Sequence, residues 1–273
     1  MSRMVIPSGV PRSVISMRPL VETVDVEGCV LRLRTLAPAG RARDTLAPTI
    51  VLVHGIGMSH RSFKRVQRVL SRSYRTIAVD LPGFADSPSP GRRLEIEDLA
   101  RLVITALRAC DVEQCLAIGQ SMGTQVVVGM ALQDPGFVTS VGLIGPVIDD
   151  RRRTLLQQGF SLAVDGIRER PAMNATLLTD YLRSMPTYLR ELRVMMRYPT
   201  LRSVAALEVP VLVMRGTEDP VARRGWAARV AGVAREAAFI ELPGPHHVQD
   251  AHPGAVAAIV DEFIRVQTVG QLR

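Results

Sequence analysis

From residue 49 onward the chain alternates between two hydrophobic patterns. Short continuous apolar runs, Thr49–Val53, Thr76–Val79, Cys115–Ile118, Val141–Ile144, Val209–Met214 and Phe239–Leu242, are separated by stretches of helical period at 60–71, 95–109, 122–134, 222–233 and 254–267. A run that is apolar at every position has both faces covered, and strands that alternate with helices pair in parallel through crossover connections. Upstream, Val21–Val26 and Val30–Leu36 alternate with period two around Glu27-Gly28, the pattern of an antiparallel hairpin. Together these predict an α/β domain, a doubly wound and mostly parallel sheet of about eight strands with the hairpin at its first edge.

The rhythm breaks once. Between Pro146 and Val209 helical spacing replaces strand signals. Pro171 stands at a helix start ahead of Met173, Leu177, Leu178, Tyr181, Leu182 and Met185, and a second pattern of Tyr188, Leu189, Leu192, Met195 and Met196 follows Pro186. The expected division is an N-terminal arm at 1–20, a core at 21–146 and 206–273, and a helical cap at 147–205 lying over the carboxyl edge of the sheet, where such sheets bind ligands. Pro7, Pro11 and Pro19 keep the arm from forming regular structure, and 37–48 reads as a loop.

Composition adds little to the fold but narrows the function. With 47% hydrophobic and only 4% aromatic residues, a core must be built from aliphatic side chains and methionine. The formal charge of +8 invites a nucleic-acid reading. Lys64 is the only lysine, however, and the arginines are spread along the whole chain without interleaved stacking aromatics, so nucleic acid is not an expected partner. Cys29, Cys110 and Cys115 are odd in number and lack metal-like spacing, the usage of reduced thiols in the cytoplasm. Arg3, Arg12 and Arg18 interrupt the first twenty residues, and no stretch approaches the ~18 apolar residues of a membrane span. A cytoplasmic protein without a membrane partner is the expectation.

The chemistry concentrates where strands end. Cys115–Ile118 runs into Gly119-Gln120-Ser121-Met122-Gly123, a G-x-S-x-G pattern at a strand-to-helix turn. A serine hydroxyl is a weak nucleophile until a base reaches it, and a sharp turn lifts it clear of the sheet while the next helix aims free N–H groups at developing negative charge. The base belongs beyond the last strand, where His246 and His247, two of only five histidines, follow Pro243-Gly244-Pro245. The orienting acid belongs past Val209–Met214, and Asp219 stands there. Glu218 reads as an exposed neighbour, and Asp149 and Asp150, beside Arg151 to Arg153, as an internally neutralised helix start. The first central strand ends in His54-Gly55-Ile56-Gly57. The backbone N–H of Ile56 can pair with that of Met122 as an oxyanion hole, each donor being worth ~2.7–4 kcal/mol in a transition state. His54 reads as a loop brace and Asp80 as a turn former.

These motifs resemble the α/β-hydrolase superfamily over residues 20–267, and more narrowly its capped serine esterases and carbon–carbon bond hydrolases. The resemblance rests on the loop at 54–57, the Asp80-Leu81-Pro82-Gly83-Phe84 turn, the elbow at 119–123, Gly216–Asp219 and the histidine loop. It implies Ser121, His246 and Asp219 as catalytic residues, since a proline commonly falls seven residues after the histidine and Pro253 is seven after His246. Two positions depart from the pattern: Ala85 stands where glycine is usual, and Pro245 precedes the histidine. The nucleophile being serine argues against dehalogenase and epoxide hydrolase chemistry, which use aspartate there.

The expected reaction is acyl transfer through an acyl-enzyme, on a small-molecule carboxylic ester of hydrophobic or aromatic character, with no cofactor and no metal. The alternatives are a carbon–carbon bond hydrolase acting on a vinylogous diketone acid, and a ligand-binding protein that keeps the fold. Arginines at 151–153, 168, 170, 183, 190, 193, 197 and 202 crowd the expected cap. They read as solvated helix faces, with an inward-pointing carboxylate clamp as the sharper option. A homodimer is compatible with the sequence.

Overall fold

The computed structural model describes residues 18–38, 47–150 and 171–271. The arm as far as residue 17, most of the 37–48 loop and 151–170 of the expected cap lie outside the described residues. Eight strands form one sheet in the order β1-β2-β4-β3-β5-β6-β7-β8. The hairpin pairs β1 (Leu20–Val26) with β2 (Cys29–Leu36). Its two-residue turn has Glu27 at φ 54° and Gly28 at φ 76°, the left-handed pair that matches strand twist. β2 runs antiparallel to β4 (Thr76–Asp80), and from there β3 (Thr49–Val53), β5 (Cys115–Gln120), β6 (Val138–Ile144), β7 (Val211–Gly216) and β8 (Ala237–Leu242) are parallel.

The continuous apolar runs have a simple cause. Val51 and Val53 face one way, against α2 (Ile96–Arg108), α3 (Met122–Gln133) and α6 (Arg224–Val233). Ile50 and Leu52 face the other way, against α1 (Lys64–Leu70) and α7 (Pro253–Gln271). A central strand such as β3 therefore needs apolar side chains at every covered position. Three strands run past their apolar runs at the carboxyl end, through Asp80, through Gly119-Gln120 and through Arg215-Gly216, because ladder pairing continues after the hydrophobic signal stops.

Between β6 and β7 the chain forms α4 (Pro171–Arg197) and α5 (Thr200–Ala205). α4 is one helix, where the sequence pattern predicts a break at Pro186. A proline removes one N–H bond to the preceding turn at a cost of ~3 kcal/mol, yet the helix runs through it, with Asp180 upstream and Thr187 downstream buried. Met173, Asp180, Thr187, Glu191, Val194 and Met195 make its buried face. The insertion is fastened at its root. Trp226 Nε1 donates to Pro146 O at 2.8 Å, Gln125 Nε2 to Met195 O at 3.0 Å and Thr200 Oγ1 to Val147 O at 3.1 Å.

The winding of the sheet reverses between β3 and β5, which sit side by side although β4 lies between them in sequence. A crevice opens at the carboxyl ends of strands at such a point. His54 follows β3 and Ser121 follows β5, so both loops border it. Among the described residues no helix is long and apolar enough to cross a membrane.

Candidate active site

Ser121 stands between β5 and α3 with φ 54° and ψ −122°, a left-handed conformation that a side chain rarely adopts. The two glycines of the motif are there for room. A Cβ on Gly119 would come 2.1 Å from Gly123 O, and one on Gly123 would come 2.1 Å from Val53 O. Met122 is the first residue of α3, so its N–H belongs to the turn that has no intrahelical partner. The loop after β3 closes on the same place, since a Cβ on Gly55 would lie 2.9 Å from Ser121 Cβ and 2.8 Å from Gln120 Oε1. Ile56 is the next residue and is buried.

His246 and Asp219 meet behind this turn. His246 Nδ1 and Asp219 Oδ2 are 2.7 Å apart, and both side chains are closed to solvent. The other carboxylate oxygen, Oδ1, accepts the N–H of Val221 at 2.7 Å and of Ala222 at 2.8 Å. Burial pushes the Asp219 carboxyl upward, but the His246 imidazole and these two N–H bonds outweigh it and hold the group below its usual value. The loop itself is held by Arg215, whose Nε donates to Ala222 O at 2.7 Å and whose Nη2 donates to Asp219 O at 3.2 Å. Glu241 pairs with the same guanidinium.

The end of β6 connects the two halves. Ser121 N donates to Ile144 O at 2.9 Å, while a Cβ on the following Gly145 would stand 2.8 Å from His246 Cε1 and 3.3 Å from Asp219 Oδ2. One peptide junction therefore touches the serine backbone on one side and the imidazole–carboxylate pair on the other. With Nδ1 engaged by Asp219, Nε2 is the ring nitrogen that can exchange a proton with a hydroxyl.

The remaining sequence candidates fall elsewhere. His247 is buried with its ring edge-on to His246, 5.3 Å between centroids. Glu218 is exposed. Asp149 and Asp150 form ion pairs with Arg229, a partner that neighbouring arginines in the sequence do not suggest. His54 braces two loops: Nδ1–H donates to Gly55 O at 2.8 Å and Nε2 accepts the N–H of Leu81 at 3.1 Å. That pattern needs a neutral ring, in accord with burial pushing its pKa down against the pull of Asp80. Asp80 is fully buried and accepts His60 N at 2.7 Å and His60 Nδ1 at 2.9 Å, with Arg34 Nε at 3.3 Å. It anchors the 3-10 turn His60–Phe63 to β4. Of the arginines in the expected cap, Arg193, Arg197 and Arg202 are exposed, Arg151 to Arg153, Arg168 and Arg170 lie outside the described residues, and the side chains of Arg183 and Arg190 do too. Asp180 and Arg215 have structural partners that no local pattern announces.

An eight-stranded sheet of this order, with a strained serine turn after the fifth strand, is the architecture of an α/β-hydrolase. Residues 50–259 match the Alpha/beta hydrolase family, and the chain belongs to it. It is a hydrolase. The chain is 23% identical over 251 residues to the pyrrolizixenacetamide deacetylase of Xenorhabdus hominickii, covering 83% of this chain and 94% of that protein. It is 38% identical over 97 residues to the uncharacterized hydrolase YugF of Bacillus subtilis, a match that spans only 36% of that protein's length and 35% of this chain. Among solved structures, the enol-lactonase from Burkholderia xenovorans aligns with a TM-score of 0.76 at 20% identity, over 89% of this chain and 100% of that one. At that identity the likeness concerns the fold.

Proposed function

We propose that the protein is a serine hydrolase that cleaves a carboxylic ester of a small to medium hydrophobic or aromatic substrate through an acyl-enzyme. The observation that carries this reading is the buried His246–Asp219 pair, 2.7 Å apart, set against the same β6 terminus that holds the strained Ser121. Ser121 Oγ attacks the carbonyl carbon and gives its proton to His246 Nε2, while the carbonyl oxygen takes the negative charge and the N–H groups of Ile56 and Met122 receive it. Collapse expels the alcohol, which leaves with the proton from His246. Water then adds to the acyl-enzyme by the same route and releases the acid. Asp219 holds the Nδ1–H tautomer and balances the imidazolium.

The deacetylase relative and the solved enol-lactonase both act on acyl groups by name, which favours acyl transfer. A second reading is carbon–carbon bond hydrolysis, which the same serine, imidazole and carboxylate would serve. The test is labelling by a fluorophosphonate together with turnover of p-nitrophenyl esters and of a chromogenic dienoate. Labelling that vanishes in Ser121→Ala, with ester turnover ahead of dienoate turnover, is the expected result. Labelling that persists in Ser121→Ala overturns the nucleophile, and a faster dienoate reaction moves the assignment to the carbon–carbon class.

A further inference from the structure

The buried face of α4 carries a carboxylate that reaches into the core. Asp180 Oδ2 accepts a 2.6 Å hydrogen bond from Ser59 Oγ, and Oδ1 accepts a 2.9 Å bond from Arg61 Nη1. Arg61 Nη2 also donates to Thr176 Oγ1 at 3.4 Å. Both Asp180 and Ser59 are closed to solvent. Resting on the serine-hydrolase reading above, we propose that Asp180 is a positioning residue that fixes the oxyanion loop from the inserted helix.

Ile56, whose N–H is the donor in question, lies between two fixed points. Upstream is His54, tied to Leu81. Downstream is Ser59, which is reached through the turn closed by Met58 N donating to Gly55 O at 3.2 Å. Ser59 also begins the next element, its carbonyl accepting from Ser62 N at 3.1 Å and from Ser62 Oγ at 3.0 Å. The core supplies the first fixed point, and the insertion supplies the partner of the second. The charge arrangement fits this role. An unpaired carboxylate beside the place where an oxyanion forms would oppose it, and Arg61 offsets that charge. A buried ion pair is a weak stabiliser on balance, so what it adds here is geometry. The packing of Met58 with Met173 and the approach of Gly83 to Thr187 hold the same helix against the loops after β3 and β4.

The experiment uses the full chain with Asp180→Asn, Ser59→Ala and both together. It reads kcat and KM on a p-nitrophenyl ester, and the affinities of a trifluoromethyl ketone and its methyl ketone parent. The trifluoromethyl ketone forms an oxyanion on the enzyme, whereas the parent binds as a neutral carbonyl. The expected result is a fall in kcat of ~10–100-fold with KM held within about threefold, because a misplaced donor is felt in the transition state. Trifluoromethyl ketone affinity should fall in parallel while the parent ketone is unaffected, and the double variant should lose no more than the worse single one. Unchanged kcat, or a rise in KM with equal loss of both ketones, overturns the proposal. If Asp180→Asn does not fold, Ser59→Ala gives the same reading from the core side with one hydroxyl removed. An active wild type with indifferent variants sinks this proposal alone. A wild type that neither turns over esters nor takes a fluorophosphonate sinks the parent reading and this one with it.

Discussion

Replacing Gly145 by alanine tests whether the end of β6 really sets the imidazole. Gly145 has φ 57°, and a Cβ added there would lie 2.8 Å from His246 Cε1 and 2.9 Å from Nδ1. Two costs separate cleanly. The left-handed backbone costs an alanine roughly 1–2 kcal/mol wherever it occurs. The steric cost is local: carbon atoms pack at about 3.5–4.0 Å, so the ring or the β6 end must yield by ~1 Å. A displacement of that size at the reacting groups costs ~100-fold in rate, or about 2.7 kcal/mol. Gly28 supplies the control, since its φ is 76° and nothing lies within 4 Å of its added Cβ. Both variants should melt about 2–6 °C lower. Only Gly145→Ala should lose kcat on an activated ester. If Gly145→Ala keeps kcat within about threefold while melting like Gly28→Ala, the ring does not depend on this junction and the reasoning fails.

Three further outcomes follow from the same geometry. Ser121→Ala and His246→Ala should each lower kcat by ~10⁴-fold or more without unfolding the protein, while His247→Ala should stay within about tenfold; steady-state kinetics decides, and a dead His247 variant would transfer the base to that residue. Asp219 has a folded pKa below its unfolded value of about 3.9, so its contribution to stability is present above that pH and is lost as pH falls through the lower folded value. Asp219→Asn should therefore flatten the acid limb of a stability–pH curve measured by urea melts, and a limb as steep as wild type would show that Asp80 and other carboxylates carry it. Ala85 sits at φ 51°, and Ala85→Gly should relieve about 1 kcal/mol of backbone strain, partly offset by greater freedom of the unfolded chain. Differential scanning calorimetry should show a rise of a degree or more, and a fall would mean that the methyl group packs usefully.

The parts of the site that sequence reveals are those whose physics is local. Continuous apolar runs follow from two covered faces, as Val51 and Ile50 illustrate by facing opposite layers. The serine turn is legible because the glycines at 119 and 123 are needed within the same few residues that the motif spans. Other features depend on residues far apart in the chain. Ser59 and Asp180 are 121 positions apart, and nothing around either marks the pair. Arg215 looks like a strand terminus, although it grips the acid loop through backbone carbonyls, which every residue owns. Pro186 misleads in the opposite way, since a strong local breaker stands inside a helix that continues past it. The departure at Ala85 proves informative: glycine is usual there because the turn bends left-handed, and this chain accepts the strain.

The bonds at the root of the insertion separate its shape from that of the core. Trp226 to Pro146, Gln125 to Met195 and Thr200 to Val147 rivet the outgoing and returning chain to the core. The length of chain between those rivets is therefore free to set what lies over the crevice without moving the ends of β6 and α5 on the core.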